Sequence, residues 1–180
     1  MPVRPTTTAL AILAWMLCPA KPCPAELDEY QAKAVFVYNF AKFVEWPPES
    51  FKDPAGSLHI CLLGQSPLEQ TLDSTVRNKR VEGRGFVVRQ VTDARQMPGC
   101  HLLFVAAPAV KRYRALRTEL ASLSGLLVVG ESEGLAAEGA SINFKLDAGR
   151  LRVEINIAEA RRERLVINSR LLSMADLVGR

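Results

Sequence analysis

Apolar positions crowd the segment from Tyr30 to Trp46 more densely than one face of a surface helix requires. Tyr30, Ala34, Val37, Tyr38, Ala41 and Val44 recur at helical spacing, as on a helix that faces a core. Phe36, Phe40 and Phe43 form a second row, and Asn39, Lys42 and Glu45 leave only a thin polar seam. Such a helix is buried on most sides or offers its aromatic row to a partner. Pro47 and Pro48 are expected to stop it. If exposed, the row Phe36, Phe40, Phe43 is too apolar for a monomer surface and predicts self-association, most simply as a twofold dimer. If a sheet covers it, that argument disappears.

Downstream, short apolar runs alternate with helical patterns. His59 to Leu63 is a compact strand, and Ser66 as N-cap, Pro67 at the first helical position and Glu69 at the third signal a helix running to Asn78. Strands follow at Phe86 to Val91, His101 to Ala106 and Leu126 to Gly130, with a helix from Pro108 to Leu123. Ala140 to Leu146 and Leu151 to Ile157 form a hairpin around Asp147-Ala148-Gly149, and one or two helices fill Ala158 to Val178. Alternation of this kind predicts an α/β fold: one three-layer, Rossmann-like domain, with a mostly parallel sheet of about six strands and a C-terminal antiparallel hairpin.

Residues 1–25 have the pattern of a cleaved signal peptide. Arg4 supplies a basic start, and Ala9 to Leu17 an apolar core of secretory length, too short to span a bilayer. Cleavage is possible after Ala20 or Ala25; the second is favoured because Glu26 makes a better mature start than Lys21-Pro22, leaving residues 26–180 as the domain. Leu17 before Cys18 and Pro22 before Cys23 argue against lipid attachment. The chain carries 23 Lys and Arg against 19 Asp and Glu, a balance that gives no basic field for nucleic acid. Arg161, Arg162 and Arg164 cluster, but Glu159 and Glu163 interleave with them as on a solvated helix face. Export would leave Cys61 and Cys100 in an oxidising compartment, where neighbouring thiols form a disulfide. The alternative is two buried cysteines that never meet.

Two blocks, YNFAKFVEWP at residues 38–47 and INFKLDAGRLRVEINIAEARRERLVINSRLL at residues 142–172, resemble the YfiR family of small periplasmic proteins of Gram-negative bacteria. The resemblance runs from near Leu27 to near Ala175. It implies a periplasmic repressor without cofactor or catalysis, which binds the periplasmic sensor domain of an inner-membrane diguanylate cyclase and lowers cyclic di-GMP signalling. It also implies an outer-membrane OmpA-like lipoprotein that relieves repression by sequestering the repressor. Family members share the pair Cys61 and Cys100; a second pair that some carry nearer the C-terminus is missing here.

Within the second block, Glu154, Asn156 and Arg170 suit a polar network tying the last strand to the final helix, where an Arg can fork onto a carboxylate. The other reading is a surface that recognises the cyclase, with Phe144, Val153 and Ile155 as core or as apolar contact. A small-anion site would fall where the helix at Ser66 meets the carboxyl end of a strand, with Gln65, Ser66 and Glu131 flanking one crevice. A periplasmic small-molecule-binding module using that crevice is the alternative function, and a hydrolase or transferase using Glu131 and Ser66 is a third. Gly83 and Gly85 precede a strand, the wrong order for a dinucleotide loop. His59 and His101 adjoin the cysteines, but a disulfide would consume the thiolates and leave too few ligands for a metal. No serine elbow precedes a helix.

Overall fold

The computed structural model describes residues 24–51, 53 and 56–179. The expected leader, with Cys18 and Cys23, lies outside them except for Pro24 and Ala25, which begin helix α1, Pro24–Phe43. The elements that follow are β1 Val44–Glu45, β2 Leu58–Leu63, α2 Leu68–Val76, β3 Phe86–Val91, β4 Leu102–Val105, α3 Val110–Leu120 and β5 Leu127–Gly130. Then come β6 Ile142–Asp147, β7 Arg150–Asn156, α4 Ile157–Arg162, β8 Val166–Ile167, α5 Ser169–Leu172 and β9 Asp176–Val178.

Seven strands form the main sheet, in the order β3-β2-β4-β5-β6-β7-β9. The first five are parallel, β7 turns back antiparallel to β6, and β9 runs parallel to β7. The fold is therefore mixed α/β and Rossmann-like, with one strand more than expected, because Asp176–Val178 is a strand where helix was predicted. The β6–β7 hairpin closes through Ala148 and Gly149 at φ 48° and 74°, left-handed values typical of a two-residue turn that matches strand twist.

Side-chain alternation on the strands divides the core in two. Leu62, Phe104, Val129, Ile142 and Ile155 lie side by side on one face, in register across five strands, under Ala34, Val37, Phe40 and Ala41 of α1 and Leu68, Leu72 and Val76 of α2. On the other face Cys61, Leu63, Leu103, Val105 and Val128 meet Val110, Tyr113 and Leu120 of α3. The three layers follow from this: both sheet faces are apolar at the centre, and each needs a helix to exclude water.

Three local expectations are corrected. Helix α1 ends at Phe43, ahead of Pro47, because Val44 and Glu45 go extended to pair with Ile167 and Val166 of β8. Ser66 Oγ accepts the Leu68 N–H at 3.2 Å, but Glu69 closes no capping box, since its carboxylate takes the Gln90 amide at 2.8 Å. Helix α2 then stops at Val76, two residues before Asn78, whose φ of 63° cannot continue it.

Candidate functional site

The second sequence block separates into core and surface. Phe144 and Ile155 are 1% and 0% exposed, so in this fold they fill the sheet face under α1 and present nothing to a partner. Asn156 is buried as well; its Oδ1 accepts the Glu159 N–H at 3.1 Å as the N-cap of α4, and its Nδ2 donates to the Ala136 carbonyl at 2.8 Å. Its place also dictates Gly179, where a Cβ would stand 2.3 Å from Asn156 Oδ1. Glu154 lies on the face opposite Phe144 and Ile155, where it accepts from Asn143 Nδ2 at 3.2 Å and pairs with Lys145 at 3.2 Å. Lys145 bridges onward to Asp176 at 3.1 Å, so one cation ties β6, β7 and β9 together. The expected network through Arg170 does not form: Arg170 is exposed on α5, and among the described residues its guanidinium has no ion-pair partner. Glu154 and Arg170 are thus the two members of the set that reach solvent.

The aromatic row packs against the domain's own core, with Phe40 buried and Phe36 and Phe43 partly buried. Phe40 is 0% exposed, with its ring centroid 5.6 Å from that of Phe144, and Phe36 lies edge-on to Phe144 at 5.9 Å. Phe43 is partly buried against the same core. The self-association expected of Phe36, Phe40 and Phe43 depended on an exposed row; Phe40 is covered, while Phe36 and Phe43 keep part of their surface.

The crevice expected between Gln65, Ser66 and Glu131 is also occupied by the protein. Glu131, expected to flank that crevice, has a side chain only 3% exposed. Lys33 of α1 reaches it at 2.6 Å and holds Glu29 at the same distance, while Glu131 Oε1 accepts the Ala107 N–H at 3.1 Å. Burial alone would push Lys33 down, but the two carboxylates outweigh it and hold the ammonium above its ordinary range. The Tyr30 hydroxyl, raised first by burial and next by Glu131, sits against Ser66. The first turns of α1 therefore cover this end of the sheet; Gln65 lies on a separate cleft with Gln90, Thr92, Lys111 and Arg112, and Glu131 lines another of about 340 Å³ with Glu29, Lys33 and Lys145. The sequence signal for the plug was faint: Glu29 and Lys33 at i,i+4 beside Tyr30 in an otherwise apolar helix.

Cys61 and Cys100 form a disulfide with Cα atoms 5.9 Å apart. It joins β2 to the turn before β4, where His101 N–H donates to the His59 carbonyl at 3.0 Å. In return, the His59 N–H donates to His101 Nδ1 at 3.1 Å, which leaves the His101 proton on Nε2. Phe51 stacks on His101 with centroids 4.4 Å apart, and the Arg84 guanidinium lies on Phe51 at 3.8 Å. Among the described residues no group of three or more His, Cys, Asp and Glu converges as metal ligands would, and no helix is long and apolar enough to cross a membrane.

His101 is 4% exposed. Burial first, then the nearby charges of His59 and Arg84, pull its pKa from 6.5 down to about 4. A depressed folded-state value means stability that is whole above the unfolded value and lost as pH falls toward the folded one. The unfolding free energy is therefore expected to drop by about 2 to 3 kcal/mol between roughly pH 6.5 and 4 from this ring alone. Urea unfolding across that range checks it: His101→Gln should flatten the slope, and an unchanged slope would assign it to other groups.

The two blocks behind the resemblance meet in space, through Phe40 against Phe144 and through the pairing of Val44 with Ile167. A family model described as YfiR/HmsC-like matches residues 30–176. The chain belongs to this family. No curated protein matches the chain. In this YfiR/HmsC-like domain the shared blocks do mostly architectural work: they lock α1 to the hairpin and to β8. Of the residues expected to recognise a partner, Glu154 and Arg170 are the two that reach solvent.

Proposed function

We propose that this protein is a periplasmic regulator that represses a membrane-bound diguanylate cyclase by contacting its periplasmic sensor domain, lowering cyclic di-GMP. It acts by contact, without catalysis or a cofactor. The observation that carries this reading is membership of the YfiR/HmsC-like family over residues 30–176. The Cys61–Cys100 disulfide agrees with an oxidising compartment. Repression asks little of the contact: a preference of about 1 to 3 kcal/mol for one state of the sensor shifts its output several-fold or more. Glu154 and Arg170 are the contact residues proposed, and an outer-membrane OmpA-like lipoprotein would relieve repression by sequestering the protein.

The test is capture of partners by the mature, oxidised protein from detergent-solubilised membranes of its host, with mass spectrometry as the readout. A membrane diguanylate cyclase is expected among them, and recovery should fall about tenfold with Glu154→Lys/Arg170→Glu if those side chains make charge-assisted contacts. Deleting the gene should raise cellular cyclic di-GMP. Unchanged levels, with cyclase and regulator both expressed, would sink the repressor role.

A further inference from the structure

The amino ends of β2 and β4 hold a cavity of about 320 Å³, on the same edge as the disulfide turn and opposite the plug formed by Lys33 and Glu131. Its walls include Phe51, Asp53, His59, Arg89 and His101. Three buried polar atoms in these walls, Ser50 Oγ, His59 Nδ1 and His101 Nε2, have no hydrogen-bond partner among the described residues. Leaving such atoms unpaired is destabilising, and native domains rarely collect them in one place unless something else satisfies them. The Ser50 carbonyl lies near His101 but off the geometry of a hydrogen bond.

The donor pattern names the guest. His101 Nδ1 is taken by the His59 N–H, so Nε2 can only donate. Arg89 brings a guanidinium close enough to depress the His59 pKa after burial has done so. Among the described residues its Nη2 donates to the Pro98 carbonyl at 3.4 Å and to Cys100 Sγ at 3.2 Å, and its other donors meet no acceptor. Arg84 adds a second cation behind Phe51, outside the lining, where it donates to the Asp53 and Gly56 carbonyls. Both faces of Phe51 are occupied, by His101 and by Arg84, so the site has no free ring to stack on a large aromatic ligand. The His101 N–H, a guanidinium with spare donors and the modest volume suit a small planar anion that accepts hydrogen bonds.

We propose that this cavity binds a small organic carboxylate, with its oxygens on the Arg89 guanidinium fork and on His101 Nε2–H. The pairing matches the planar geometry at which guanidinium and carboxylate meet best. This inference stands apart from the repressor reading, since it needs no partner protein.

The chain has only two histidines, so their ring resonances in nitrogen-edited NMR report on the site without ambiguity. Titration of the oxidised protein with succinate should move both rings saturably, while the neutral succinamide leaves them in place. Arg89→Gln should weaken the succinate effect about tenfold. The proposal is overturned by an absence of saturable shifts, by succinamide acting like succinate, or by inorganic phosphate binding as tightly as succinate. The succinate and succinamide comparison uses the unaltered chain, so it decides even if Arg89→Gln does not fold.

Discussion

Replacing Cys61 and Cys100 together with alanine should lower the unfolding free energy by about 4 kcal/mol, the chain-entropy value for a loop of this length. The cysteines are 39 residues apart in sequence, and the cross-link removes the freedom of that loop mainly from the unfolded chain. The native state loses little else, since both side chains sit in an apolar layer with Leu63, Leu103 and Met97 that alanine can share. For a domain with a stability of about 5 to 15 kcal/mol the loss is large, and less folded regulator would be left to engage a partner. Urea unfolding of the oxidised protein and the double variant measures it, and a thiol reductant should destabilise the former and leave the latter unchanged. A difference below about 1 kcal/mol would mean that residual structure already holds the loop closed in the unfolded chain.

Lys33→Met should cost about 3 to 5 kcal/mol, because it strands the Glu131 carboxylate in the interior. That side chain is 3% exposed and would keep only the Ala107 N–H as a partner. Changing Glu131 to glutamine in the same molecule keeps that hydrogen bond and removes the charge, so Lys33→Met/Glu131→Gln should regain most of the loss. The signature is this non-additivity, read from urea midpoints of the two single variants and the double. Additive losses would show that Glu131 finds water or another cation, and that the plug over the carboxyl end of β5 is looser than its distances suggest.

The different fates of the predicted residues have one physical origin. The stripe Ala34, Val37 and Ala41 is core as expected, because i,i+3,i+4 spacing fixes a helix face before any partner is known. The parallel strands were legible for a similar reason: Ile60, Leu62, Leu102 and Phe104 lie in short apolar runs that suit a sheet covered on both faces. What periodicity does not encode is which charged residue ends up inside. Glu131 and Glu133 look alike in sequence, and only the position of Lys33 on α1 makes the first a buried anion. Asp176–Val178 and Val166–Ile167 were missed as strands because two or three residues carry no period of their own. They are extended only because β7 and β1 offer them hydrogen bonds.

The sequence by itself determined the α/β class, the apolar faces of α1 and the strands, the hairpin turn at Ala148-Gly149, and the family, because each is written in local spacing or contiguous motif. Tertiary structure alone decided that Phe40 packs on Phe144 and is closed to a second copy. It also decided that Lys33 seals one end of the sheet, and that His59, His101 and Arg89 gather at the other. Those outcomes depend on contacts between residues tens of positions apart, whose energies exist only once the sheet order has brought them together.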